Sequence, residues 1–196
     1  MPTLPSSPSP ASMTMTLVSN SIDMKPTLGG PTQRAVRLGA RWQCDVTLPP
    51  MPYANAMAWM AALNQASTQL MRLNIAQPDL TGLGAGSLVV NGSPQAGTSL
   101  NVAGGTAGYA FKAGQFISIS DVTGPKLYQL TAAVTLSGAG AGTLPIYPPM
   151  RASPTGGGAV AVNPPVIEGF LVNASPSWSV DAARTVSLSF SILEAA

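Results

Sequence analysis

Residues 48–66, LPPMPYANAMAWMAALNQA, are the one long segment of this chain that reads as a helix. RAVRLGARWQCDVTL before it and TQLMRLNI after it have strand character, so the helix is expected to cross a sheet. Pro49, Pro50 and Pro52 cannot sit within a β ladder, but proline is tolerated just before and within the first helical turn, where its missing N–H would have no partner anyway. The helix is therefore predicted over about residues 52–66. At about 100° per residue, Tyr53, Ala56, Met57, Trp59, Met60 and Leu63 share one broad face, with Asn55, Ala58, Ala62 and Gln65 opposite. The first face is expected to pack on the sheet. One helix among many short strands predicts a mainly β chain: a β-sandwich with one crossover α-helix plus an inserted small β-sandwich or β-barrel module.

Strand signals surround the helix. MTMTLVSNSI (13–22) alternates, and DMKPTLGGPT (23–32) has the Pro and Gly density of a loop. Residues 33–48 place Val36, Leu38, Ala40, Trp42, Cys44, Val46 and Leu48 on one side of an extended chain, with Arg37, Arg41 and Asp45 on the other. That period predicts one long strand. A further strand should begin near Leu70 and Arg72 and end by Pro78. After Asp79 come short apolar runs broken by glycine turns, among them GQFISISD, KLYQLTAAVTL, GTLPIYPPM and AVAVN, at about 8–12-residue spacing. Residues 82–163 are therefore expected to be a β module inserted into a domain of residues 13–81 and 164–196, which closes with VIEGFLVNA and WSVDAARTVSLSFSILEA. Residues 1–12 are a Pro- and Ser-rich arm that cannot fold alone. Its Pro2, Leu4, Pro5, Pro8 and Pro10 are candidates for clasping a neighbouring subunit, the other course being to pack on their own domain.

Chemistry is bounded by what the chain lacks. Only 8% of its residues are charged, against about 25% in ordinary globular proteins, so much of the surface is expected to be covered by neighbours. The net charge is +2 and the nine basic residues are scattered, which argues against nucleic-acid readout. With no histidine and a lone Cys44, a disulfide framework, a thiolate–imidazole metal site and a histidine-activated nucleophile are all unavailable. Cys44 alternates with Trp42 and Val46 and reads as buried core. The seven carboxylates form no local pair of the kind a glycosidase needs. The serines sit in no nucleophile elbow, and GLGAG (82–86) lacks the rest of a phosphate-binding fingerprint. Asp121, before Thr-Gly-Pro, reads as a turn cap. No catalytic residue, cofactor or metal site is expected. The N-terminus has no signal-peptide pattern and no run reaches the ~20 apolar residues of a membrane span, so neither export by that route nor embedding is expected. In the insert, Tyr109, Phe111, Phe116, Tyr128 and Tyr147 suggest a second class of function, sugar binding, with Tyr109, Tyr128 and Tyr147 at a stacking rim.

The order of parts carries a resemblance. A strand in GARWQCDVTLPPM, a helix containing AMAWMAAL, a β-rich insert with GQFISI and LPIYPPMRAS, and a closing W-x-x-D strand ending LSFSILEA together resemble the distal-tail and related tail-tip proteins of long, non-contractile-tailed bacteriophages. The likeness covers most of residues 13–196; the Pro/Ser arm departs from it. It implies a structural virion protein at the tail tip, assembled in the host cytoplasm as a homo-hexameric ring of the kind that family forms. Such a ring joins the tail tube protein to hub or baseplate proteins and leaves a lumen for transient passage of DNA. Arg34, Arg37, Arg41 and Arg72 flank the first sheet and could line or rim that channel, or simply solvate the polar strand face. A tail-tube or other virion subunit is the neighbouring alternative.

Overall fold

The computed structural model of the 196-residue chain describes every residue except 28, 36, 37, 81–83, 174, 175, 183 and 196. In chain order its elements are β1 (Ser12–Val18), β2 (Ile22–Met24), β3 (Gln33–Ala35), β4 (Arg41–Thr47), β5 (Met51–Pro52), α1 (Tyr53–Ala66), β6 (Met71–Asn74), β7 (Gly86–Val90), β8 (Gly97–Gly105), β9 (Ala110–Phe111), β10 (Phe116–Asp121), β11 (Gly124–Leu130), β12 (Val134–Thr135), β13 (Gly142–Met150), β14 (Val160–Ala161), β15 (Val166–Leu171), β16 (Trp178–Val180) and β17 (Thr185–Glu194). The chain is mainly β with one helix, as the pattern of its sequence predicts.

The first sheet is antiparallel, in the order β1-β4-β17-β15-β6, with β5 and β16 also pairing with β17. β17 is its spine. Strict alternation puts Val186, Leu188, Phe190, Ile192 and Glu194 on the buried face and Ser187 and Ser189 on the exposed one. Trp42, Cys44 and Val46 of β4 lie on the same buried face, in register with β17 at Cys44↔Ile192 and Val46↔Phe190. Gly169 brings β15 against β17, and a Cβ there would collide with the Leu193 carbonyl.

Helix α1 covers that face. Its buried residues are Ala56, Trp59, Met60, Leu63 and Ala66, a stripe at i, i+3, i+4 and i+7. Tyr53 and Met57, expected in the packing face, are instead 50% and 55% exposed. The stripe is narrower than the face drawn from the sequence: Met57 turns about 100° from buried Ala56, and Tyr53 lies in the first turn, next to Pro52 of β5, which pairs with Thr185 at the start of β17.

The N-terminal arm belongs to this same core. Leu4 is 5% exposed within it, Leu4 N–H donates to Arg72 O (2.9 Å) and Arg72 N–H to Pro2 O (3.1 Å), so residues 2–4 extend the sheet beyond β6. Ser7 O accepts the Trp59 indole N–H at 3.1 Å. Pro2, Pro5, Pro8 and Pro10 are half-buried. The arm therefore packs on its own domain, where it gives β6 an edge partner and the Trp59 indole an acceptor.

A second correction concerns residues 33–48, expected as one strand. The run breaks after β3, Leu38 is 69% exposed, and the pairing resumes in β4 after Gly39, whose φ of +123° favours glycine. β3 pairs with β2 instead, forming a separate two-stranded hairpin.

The second core is enclosed by a barrel-like sheet in the order β14-β10-β11-β13-β8-β7. Val90 N–H donates to Gly158 O and Gly157 N–H to Val90 O, both at 2.9 Å, which brings the two ends together. Leu88, Leu100, Val102, Phe111, Ile117, Ile119, Leu130, Leu144 and Ile146 fill it.

Candidate functional site

Two kinds of site emerge: a buried junction between the cores, and exposed apolar surface at the two ends of the first sheet. At the junction β10 and β11 lend side chains to the first core. Leu127 is fully buried there, and the Phe116 ring meets Trp42 edge-on with centroids 5.0 Å apart. Gln77 stitches the boundary: its Nε2 donates to the Phe116 and Val162 carbonyls at 3.0 Å each, and its Oε1 accepts the Phe116 N–H at 2.7 Å.

Both glutamates of the chain are buried in the same region. Glu194, at 0% exposure, accepts Leu127 N–H at 2.8 Å and Trp42 N–H at 3.1 Å, and Arg151 Nη2 lies 2.7 Å from its Oε1. Glu168 is 3% exposed and takes Arg72 Nε at 2.6 Å. The turn between β10 and β11 presses on it, and Gly124, at φ +109°, leaves the space its carboxylate occupies. Tyr128, beside Arg151, has its phenol pKa pushed up chiefly by burial, against the opposing pull of the guanidinium. These are fixed charges holding one orientation of the modules. Sequence reasoning noted the glutamates only as dispersed. The available signal was register: Glu194 continues the run 186, 188, 190, 192 of inward positions, where a carboxylate must have a partner.

The arginines proposed for a channel do not gather. Arg34 is on the exposed hairpin, paired with Asp23 through two hydrogen bonds of 2.6 and 2.9 Å. Arg41 starts β4, half-buried, and Arg72 is three strands away across the sheet and engaged by Glu168. Arg37 lies outside the described residues. Between them the outer sheet face is paved with Thr14, Thr16, Gln43, Asp45, Thr47, Ser187, Ser189 and Ser191. The Asp45 carboxyl is held below its usual pKa by the Ser191 hydroxyl first and by Gln43, whose Nε2 is 3.0 Å away.

The sugar-stacking set also disperses. Tyr128 is 3% and Phe111 1% exposed, both inside the barrel, and Phe116 is spent on Trp42. Tyr109 stands edge-on to Phe111 at 4.8 Å and lines a depression of about 340 Å³ with Asp79 and Lys112. Tyr147 is 41% exposed on β13, opposite Gln129. Of the three tyrosines, Tyr128 is thus removed from any rim.

Among the described residues, no three His, Cys, Asp or Glu side chains converge as a metal site would require, and no helix is long and apolar enough to cross a membrane. Burial raises the Cys44 thiol pKa to about 12, with Asp45 adding to the shift, so it is a packing group rather than a nucleophile. Fold and site together define a mainly β protein whose two cores meet at buried charge and whose exposed apolar groups include several at the ends of the first sheet. No protein-family model matches the chain, and no curated protein matches it either.

Proposed function

We propose that this chain is a structural subunit of a virion, forming a homo-oligomeric ring at the distal end of a long phage tail. The single observation that carries this reading is exposed apolar surface on a chain with little charge to keep it soluble. Ile22, Met24, Leu38, Met57, Phe170, Trp178 and Val180 are each 41–69% exposed in a sequence that is only 8% charged, a combination that suits a subunit finished by its neighbours. The layout resemblance supplies the place: between tail tube and hub, with DNA passing through the lumen. The hydroxyl-paved outer face of the first sheet suits a wall that contacts DNA without gripping it, since phosphate binding needs clustered cations.

Light scattering coupled to size exclusion tests this reading, with negative-stain images of the same fractions. The expected result is a closed ring of about six copies, the closure that repeated head-to-tail contact produces. Stacked tubes would instead favour a tube subunit. A monomer at every concentration, with no rings in the images, would overturn self-assembly as the basis of function. Sugar binding is the weaker reading, because of the three rim tyrosines Tyr128 is buried and only Tyr109 and Tyr147 keep accessible rings.

A further inference from the structure

We propose that the free edge of β1 pairs antiparallel with β1 of a second copy of this chain, about a two-fold axis at Met15, so that the first sheets of two copies run on as one.

Among the described residues β1 is the longest strand with a neighbour on one side only. It pairs with β4 without interruption, from Ser12↔Thr47 to Val18↔Arg41, and no bridge or backbone hydrogen bond takes its other side. A row of unpaired N–H and C=O groups along seven residues is a template for another strand. The other long margins are closed. Residues 2–4 lie along β6, and Val90, bonded to Gly157 and Gly158, brings the ends of the barrel-like sheet together. Proline, charge and bulges are the usual means of blunting an edge. β1, SMTMTLV, has neither proline nor charge, and its register with β4 contains no bulge.

The backbone decides what fits. Donors and acceptors arrayed at strand spacing take an extended chain, which adds to the sheet as its next strand. A second β1 also matches in its side chains. In a two-fold contact every residue meets residues of its own strand, so a charge would lie near its like; no charged side chain stands between Pro2 and Ile22. With the axis at Met15, Thr14 falls opposite Thr16 and Met13 opposite Leu17. Thr14 and Thr16 are exposed on the outer face, whereas Met13, Met15 and Leu17 are half-buried against the first core. Threonine therefore meets threonine outside, a favourable cross-strand pair. Inside, the open flanks of Met13, Met15 and Leu17 close on the same side chains of the second copy.

The overlap uses the whole strand, roughly 23 Å. It joins two runs in the order β1-β4-β17-β15-β6 into a sheet of about ten strands, within the range of open sheets. Such a contact is isologous, whereas a ring closes by head-to-tail repetition, so it goes beyond the ring reading and neither requires nor excludes it.

The test compares two double variants of the full chain with wild type, by light scattering coupled to size exclusion over a concentration series. Thr14→Lys with Thr16→Lys sets like charges opposite one another twice across the axis, and Thr14→Lys with Thr16→Glu sets opposite charges there. Both positions are exposed, and unchanged circular dichroism checks the fold. The expected result is wild type associating in even numbers of copies, the Lys/Lys variant weakened about tenfold, and the Lys/Glu variant associating at least as well as wild type. Equal loss in both variants, or no loss in the Lys/Lys variant, would overturn the β1 pairing. Monomer at every concentration would overturn the second copy as occupant. Rings that persist in the Lys/Lys variant would overturn this contact and leave the ring reading standing. Pairs that dissociate in that variant and never close into rings would uphold the contact and remove the ring.

Discussion

At the scale of the residue, burial makes two groups informative out of proportion to their size. Cys44 is wholly enclosed between Trp42 and Val46, and its thiol pKa rises from an ordinary value near 9 to about 12. A folded-state pKa raised in this way favours the neutral thiol, so the stability it contributes is complete below pH 9. It is lost as the pH climbs from about 9 towards 12, because the unfolded chain ionises first. Unfolding free energies from urea titrations across that window should fall by up to ~1.4 kcal/mol per pH unit beyond the decline shown by a Cys44→Ala variant. Parallel curves for the two proteins would show that the thiol is not held neutral. Gly124 is the second. Its φ of +109° and the Glu168 carboxylate lying where a Cβ would go set two penalties on one atom, strain and displacement of a buried charge. Gly124→Ala should cost about 3 kcal/mol or more by denaturant titration, whereas Gly157→Ala, with open space at its Cβ position, should cost about 1 kcal/mol.

At the scale of the element, the arm is where a local reading and a tertiary one part. Leu4 fills the first core and Ser7 O caps the Trp59 indole, so Leu4→Ala should lower stability by about 2–5 kcal/mol and Trp59→Phe should remove a further hydrogen bond worth about 1 kcal/mol. Thermal unfolding checks both, with light scattering alongside. Loss of oligomer without loss of Tm on Leu4→Ala would return the arm to a role between subunits. Why this was not legible follows from the physics: a Pro/Ser segment carries no periodicity, and its partner, Arg72 of β6, is many residues away. The helix was legible because prolines and a 3.6-residue stripe coincide, and β17 because ten residues alternate without a break. The break between β3 and β4 was not, since Leu38 fits the period of β4 and the positive φ at Gly39 leaves no mark on that period. Of the candidate site, exposure of apolar side chains depends on which faces other elements happen to cover, so Tyr53 and Met57 looked like core and Trp178 and Val180 looked like ordinary strand.

At the scale of the whole molecule, the question is whether two cores behave as one. The boundary between them holds the Glu194–Arg151 pair, Gln77 and the Trp42–Phe116 contact, and Leu127 of the barrel sheet is a member of the first core. A single calorimetric transition is therefore expected, since neither core can open without exposing the other. The charge pair should show strong non-additivity. Arg151→Met leaves the Glu194 carboxylate buried on two backbone N–H groups, and Glu194→Gln leaves a guanidinium whose Nε and Nη1 already lack acceptors. Each single change should cost about 3–5 kcal/mol, because it strands the remaining charge, while the double variant should cost less than either. If the two single effects simply add, the pair is not what joins the modules. If they cancel and the transition nonetheless splits in two, Gln77 and the aromatic contact alone are too weak to keep the cores cooperative, and the buried charge is what holds the two modules in one orientation.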